Sequence, residues 1–436
     1  MTRRPGADHQ LSARKPSPPA RPDEAPAPDD RHQVGSTGYR RVTAALFMAG
    51  LATFALLNGA QALLPALTGA FSVSTAQSTW AQALTTAGLG LALLVAGPLS
   101  EVVGRTRLIH LSMAASALVA LACAVAPTWE VLLGLRLLEG VTLAGLPAVA
   151  TAYLREEVQA AAYSRATGLY IAGTALGGMT GRLVAGGLAE VLGWRGAVAG
   201  VGVVTLACGV AVLRLLPPSR GFVPSPPDAR GLLRRYGRLL ADPVLLGLYV
   251  IAFLLMGSFT AVFNALGFRL EGAPYGLSVG AAGLVYLVYP VGSVASALAG
   301  RAAGRFGNRP VVPVGVLVMT GGVLLTLAGP LALVVAGTAL LTFGFFTAHG
   351  VASGWVAARA AAGVGGAGQA ASLYLLAYYA GSSVVGALSG SAWTGAGWPG
   401  VVAMTAGLAA LAGVVALVLV PTPSLVADPP RAVPQG

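Results

Sequence analysis

Gly97-Pro-Leu-Ser-Glu-Val-Val-Gly-Arg-Thr-Arg107 is a charged turn between two long apolar segments, and the glycine spacing of Gly97 and Gly104 returns 203 residues later at Gly300 and Gly307. Glycine permits tight backbone conformations and close helix approach, so a repeated turn of this kind points to a chain built as two equivalent halves. The chain around it is 56% hydrophobic and only 10% charged, with a mean hydropathy of +0.75. Soluble domains carry roughly 25% charged residues. The composition therefore predicts a polytopic membrane protein. A bilayer core of about 30 Å takes about 20 apolar residues per helix, and backbone groups in lipid must be bonded within the segment, so helices are expected throughout.

Twelve such segments run at 44–67, 79–99, 108–127, 131–153, 165–189, 196–216, 243–268, 278–299, 311–329, 331–356, 367–391 and 399–420. The expected fold is an all-α membrane protein with two six-helix pseudo-symmetric bundles, 42–216 and 242–421. Residues 1–41 are rich in Pro, Ala, Asp and Arg without an apolar run, which predicts a disordered tail. A basic linker at 217–241 and a second tail at 422–436 complete the organisation. Of the 27 basic residues, 23 fall in segments on one side of this topology and only Arg195 and Arg269 fall on the other. The positive-inside rule then places both termini in the cytoplasm.

Internal symmetry reaches beyond the turn. Leu169 and Tyr170 return as Leu373 and Tyr374, Gly177 as Gly381, Gly186 as Gly390 and Trp194 as Trp398, each at a spacing of 204. Repeated halves are a recurrent transporter architecture, with the substrate held near the midplane between them. Other functions find little footing. The net charge of +12 is spread over many loops rather than along one face, which argues for anionic lipid and against nucleic acid as a partner. Cys123 and Cys208 are isolated in apolar segments, so no metal site is expected. Lys15 is the single lysine, which leaves no Gly-x-x-x-x-Gly-Lys phosphate loop, and no cofactor is expected. Gly276-Leu-Ser-Val-Gly280 fits the Gly-x-Ser-x-Gly pattern of hydrolases, but it opens a membrane helix, where Ser278 serves as a cap.

Over about 44–420 the chain resembles the major facilitator superfamily. The family's turn signature, Gly-x-Leu-x-Asp-x-x-Gly-Arg-x-Arg, is similar to Gly97, Leu99, Glu101, Gly104, Arg105 and Arg107, with Glu in place of Asp. Arg136, Glu139, Gly140 and Gly145 resemble its helix 4 signature, and Gly168, Gly173, Gly177, Gly178 and Gly181 its glycine-rich helix 5 signature. Arg182 stands where that signature has a further Gly. The chain looks most like bacterial inner-membrane exporters of the acriflavine-sensitivity type. That resemblance implies efflux of small organic compounds in exchange for protons, and a location in the bacterial inner membrane.

The residues themselves suggest a division of labour. Glu139 lies about 13 Å into helix 4 at 1.5 Å per residue, with Arg136 one turn earlier. Ionisable side chains at that depth mark functional pathways by default, so Glu139 and Arg136 are candidates for proton coupling, with His349 second in line. Gly97, Glu101, Gly104, Arg105 and Arg107 are candidates for a conformational latch. Asn58, Gln61, Tyr170, Phe259, Phe263, Asn264, Tyr286, Tyr374 and Tyr378 are expected to line the substrate cavity, and Gly173, Gly177 and Gly181 to pack helices. Arg182 is long enough to snorkel toward the nearer surface, where a structural role is the expectation. The chain is read as a monomeric secondary transporter and not an enzyme: a proton-coupled exporter of small amphipathic organic compounds, with nutrient uptake by symport or uniport as the alternative.

Overall fold

Serine caps and left-handed glycines divide the apolar sequence into crossings. In the computed structural model, which describes residues 31–219 and 229–422, ten helical stretches are long and apolar enough to span a bilayer. Helix α1 is Thr37–Phe71, α2 Thr75–Val103, α3 Arg105–Ala124 and α4 Trp129–Glu157. The stretch Ala160–Leu215 breaks at Gly193, and its two arms are α5 and α6. Helix α7 is Pro243–Glu271, α8 Val279–Phe306, α9 Asn308–Leu325 and α10 Leu331–Gly363. Ala367–Leu419 breaks at Ala396 and Gly397 into α11 and α12. With each broken stretch counted as two arms, the helices agree with the expected twelve.

The repeat is visible in the terminators. The turn glycines Gly104 and Gly307 have φ of 100° and 84°, a region that side chains disfavour, and each ends the second helix of its half. Ser74 and Ser278 cap the opening turns of those same helices, accepting from the amides of Gln77 and Ala281. Gly177 of α5 packs on the Leu51 carbonyl of α1, and Gly381 of α11 packs on the Phe253 carbonyl of α7. A Cβ at Gly173, Gly177 or Gly181 would run into the carbonyls of Phe47, Leu51 or Ala55, so α1 and α5 meet backbone to backbone.

Several ends differ from the expected ones. α1 starts at Thr37, ahead of 42, because the Ser36 hydroxyl accepts the Tyr39 amide 3.1 Å away. Residues 31–36 are likewise fastened down, with the His32 amide donating to the Glu157 carbonyl at 2.8 Å, so the part of the expected tail that is described is ordered. Residues 1–30 lie outside the described residues, as do 423–436. The linker contains a helix, Ala229–Ala241, with Leu239 buried and Arg230, Arg234, Arg235 and Arg238 exposed. Leucines and valines such as Leu111, Leu118, Leu317 and Val418 stand more than half exposed on the outside of the bundle, a distribution suited to lipid rather than water.

Candidate functional site

The two halves are sewn together at one end of the bundle, the end of α5 and α11 that carries Gly186 and Gly390. There Gly186 of α5 rests on Val279 of α8, and Gly390 of α11 rests on Ala76 of α2, a symmetric exchange between halves. The Gly280 amide donates to the Glu190 carboxylate at 2.9 Å, and the Thr79 hydroxyl donates to the Ala387 carbonyl at 3.0 Å. The 97–107 turn lies at the opposite end, where Arg105 bonds Glu156 within the first half.

One helical turn inward of this seal sits Arg182, only 3% exposed. Its Nε and Nη2 both donate to Gln61 Oε1, at 2.7 and 2.5 Å, Nη2 also donates to Asn58 Oδ1 at 2.9 Å, and Nη1 donates to the Gly178 carbonyl at 2.5 Å. The guanidinium carbon lies 4.6 Å from the Tyr289 ring centre, 5.1 Å from Tyr286 and 5.8 Å from Phe263. The expected snorkelling is therefore corrected: aromatic faces and amide oxygens from both halves enclose the charge. A short 3-10 turn at Ala60–Leu63 interrupts α1 and holds Gln61. Gln61 Nε2 then donates across the interface to Asn264 Oδ1 at 2.6 Å, and Asn264 Nδ2 donates to the Gly386 carbonyl at 3.2 Å. Gln61 lies on α1 and Asn264 on α7, so this bond joins the two halves. The equivalent of Arg182 is Gly386, and the cation has no counterpart in the second half.

An aromatic ladder leads away from the arginine. Phe263 packs on Phe259 at 4.7 Å, Phe259 stacks on Phe345 at 4.2 Å, and Phe345 lies parallel to the His349 ring at 5.5 Å. His349 Nδ1 is 3.0 Å from the Tyr374 hydroxyl, and the Tyr378 ring is 4.8 Å away. Eight of the nine residues expected in the cavity thus fall along one path: Asn58, Gln61, Asn264, Phe263 and Tyr286 at the arginine, Phe259 between, Tyr374 and Tyr378 at the histidine. Tyr170 makes none of these hydrogen bonds or ring contacts, although it lies within electrostatic reach of Tyr379, the ring neighbour of Tyr378. It packs in the first half with Tyr39, Val42 and Leu46, three turns before Arg182 on the same helix. Sequence reading did not assign Arg182 to this path; the signal was a lone arginine within a glycine-rich helix whose repeat partner is glycine.

Arg136 and Glu139 form a separate site inside the first half. Arg136 Nη1 is 2.5 Å from Glu139 Oε2, and Arg136 Nε donates to the Ala81 carbonyl of α2 at 3.1 Å. Exposures of 5% and 1% make this a fully buried pair. Its pairing is one-sided, since Arg136 Nη2 and Glu139 Oε1 make no hydrogen bond among the described residues. Cys123 lies 3.9 Å from Glu139 Oε2, and a small cavity beside the pair is lined by Cys123, Arg136, Trp194 and, from the turn holding Gln61, Ala60 and Leu63. The two arginine sites therefore share one structural element.

At the end that carries the 97–107 turn, Arg105 pairs with Glu156 of α4 at 3.2 Å and also bonds the Ser100 hydroxyl, while Glu101 and Arg107 are exposed. All of these contacts stay within the first half.

Residues 43–383 match the profile of the Major Facilitator Superfamily. The chain belongs to this superfamily. It is 40% identical over 370 residues, 85% of this chain and 91% of the other, to the Bacillus subtilis (strain 168) protein named Uncharacterized MFS-type transporter YybF. It is 38% identical over 394 residues, 88% and 94% of the two chains, to Inner membrane transport protein YnfM of Escherichia coli (strain K12). Among solved structures, the fold is similar to a bacterial homologue of the human lysosomal transporter Spinster in an inward-facing, unoccupied conformation, with TM-score 0.69 and 16% identity over 88% of this chain and 95% of that one. Nucleoside transporter NupG matches with TM-score 0.69 and 14% identity, over 87% and 99%. This major facilitator chain is thus a multi-pass membrane transporter rather than an enzyme.

Proposed function

We propose that the chain is a proton-coupled exporter of small amphipathic organic compounds, working by alternating access in the bacterial inner membrane with both termini in the cytoplasm. The observation that carries the coupling is the buried Arg136–Glu139 pair, whose carboxylate keeps one oxygen free of hydrogen bonds. A carboxylate held in this way gains or loses a proton when its partner shifts, because the neighbouring cation favours the charged form and burial favours the neutral one. The turn at Ala60–Leu63 borders this pair on one side and reaches Arg182 through Gln61 on the other, which provides a physical route between proton and substrate. With the termini cytoplasmic, the sealed end is the outer one and the conformation faces inward. Glu101, exposed at the opposite end, is then a latch awaiting closure. Export rests on the resemblance of helix 5 to the glycine-rich antiporter signature, from which the chain departs at Gly178 and Arg182, and the name Inner membrane transport protein carried by YnfM supports the same membrane for this chain.

The test uses inverted membrane vesicles with an imposed pH gradient and a panel of amphipathic organic compounds. Wild-type vesicles should accumulate a compound only with the gradient, whereas Glu139→Gln should abolish accumulation and leave downhill exchange. Gradient-driven accumulation by Glu139→Gln with an unchanged pH dependence would remove the residue from coupling. Accumulation only in vesicles of the opposite orientation would replace export with uptake.

A further inference from the structure

Arg182 is a permanent charge in an unusual setting. A guanidinium is not deprotonated in proteins, so burial cannot be relieved by loss of the proton as it can for lysine or histidine. Buried cations are ordinarily paired, because removal from water costs more than neutral partners return. Among the described residues no carboxylate pairs with Arg182. Glu271 lines a small cavity with Tyr286 but makes no hydrogen bond to the guanidinium. The acceptors it bonds are uncharged oxygens, Gln61, Asn58 and the Gly178 carbonyl, with the Tyr289 hydroxyl also close by.

The geometry of those bonds is more telling than their number. The Nε and Nη2 groups form the edge of a guanidinium whose two parallel N–H bonds match the two oxygens of a carboxylate. Here both converge on the single amide oxygen of Gln61. A neutral side chain on a short 3-10 turn occupies a position for which an oxyanion is the better partner. The other faces of the guanidinium are covered by Tyr289, Tyr286 and Phe263, which supply cation–π attraction and flat apolar walls. The residues come from both halves, one turn inside the seal.

We infer that the Arg182 site takes a small organic anion with a planar apolar body, its oxyanion replacing Gln61 on the Nε–Nη2 edge and its body lying among Tyr286, Tyr289 and Phe263. This deepens the transporter reading of the same site and rests on it for the movement of the ligand. Displacing Gln61 also frees the amide that holds Asn264 of the other half, so binding loosens a link between the halves. Exchange of one proton inward for one monovalent anion outward moves charge in the direction favoured by an inside-negative membrane potential, so an anionic substrate is compatible with proton-coupled export.

The experiment is equilibrium binding to the full chain in detergent at pH 7.5, with three probes of one shape and different charge: benzoate, benzamide and benzylammonium. Benzoate should bind saturably and at least tenfold more tightly than the other two. Arg182→Gln should lower benzoate affinity at least tenfold, and Arg182→Lys should recover part of it, since lysine keeps the charge and loses the fork. Tyr289→Leu, which leaves the charge in place, should weaken benzoate severalfold and covers the case in which the arginine variants do not fold. Equal binding of benzamide or benzylammonium, no benzoate binding, or benzoate binding unchanged in Arg182→Gln would each overturn the inference. Binding in detergent needs no gradient, so charge-selective binding without flux in vesicles defeats the transport reading alone, and flux without charge selectivity defeats the anion site alone.

Discussion

Arg136 and Arg182 are equally hidden, at 5% and 3% exposure, yet their surroundings have opposite electrical character. Arg136 has a carboxylate at 2.5 Å on its own helix and lies wholly within the first half. Arg182 has amide oxygens and aromatic rings, drawn from both halves, and no carboxylate partner among the described residues. The first is internally neutral and can be kept through any movement of the halves. The second is an unneutralised charge placed where the halves meet. A buried ion pair suits a group that handles protons, whereas a buried lone cation suits recognition of something that arrives with the opposite charge.

The contrast has its largest consequence in stability. Glu139→Ala leaves Arg136 buried without its counter-ion, and removing one partner of such a pair costs about 3–5 kcal/mol. Thermal unfolding in detergent should show a large drop in midpoint. Arg182→Gln removes a charge that has no counter-ion, so relief of desolvation offsets the lost hydrogen bonds, and stability should stay within about 1 kcal/mol of wild type. If Arg182→Gln is as damaging as Glu139→Ala, the rings and amides neutralise the guanidinium as effectively as a carboxylate does, and the contrast collapses.

Different parts of this arrangement were legible in the sequence to different degrees. The helices were legible because lipid demands long apolar runs, and the two halves because glycines that let backbones touch, such as Gly177 and Gly381, recur at fixed spacing. The Arg136–Glu139 pair was legible because both residues lie on one helix, three apart, where geometry is local. The ends of α1 were not, since the Ser36 cap and the His32 bond to Glu157 depend on polar contacts outside the apolar run. The Arg182 site was half legible. Asn58, Gln61, Phe263 and Asn264 stood out as polar or aromatic residues in apolar helices, but their convergence on one arginine depends on four helices meeting, and no spacing within a single helix encodes it. Tyr170 illustrates the same limit from the other side, for its type fits a cavity while its place in the packing does not.

A smaller effect separates the two ways in which Arg182 is held. Gln61→Leu removes the acceptor of two of its bonds and also the link to Asn264, while the aromatic rings remain. Hydrogen bonds to charged groups contribute about 1.5–3 kcal/mol, so this variant should lose roughly that much stability, less than Glu139→Ala and more than Arg182→Gln. Spin labels on either side of the seal should also report a greater share of separated halves. A loss as large as that of Glu139→Ala would show that Gln61 alone compensates the cation, leaving the rings with little to do.

The smallest effect comes from the same chemistry of arginine and carboxylate at a pair that is only partly buried. Asp242 lies just outside α7, and Arg359 Nε meets its two oxygens at 2.9 and 3.1 Å. The Asp242 Oδ1 atom also caps α7 by accepting the Val244 and Leu245 amides, both at 2.9 Å. Burial alone would push its carboxyl up, but the Arg359 guanidinium and the two amides outweigh it and hold the carboxyl below the usual aspartate range. A depressed folded-state value means that the stabilisation is complete above the unfolded aspartate value of about 3.9 and is lost as pH falls through the folded value below it. Asp242→Asn keeps a capping oxygen and removes only the charge of a pair that retains some contact with water, so near pH 7 it should cost about 1 kcal/mol, less than the loss of a fully buried partner. The difference between variant and wild type should then shrink below pH 4 and not between pH 5 and 8. A loss at pH 7 matching that of Glu139→Ala would mean that burial is not what sets the cost of breaking these pairs, and Arg182 could no longer be singled out by its lack of one.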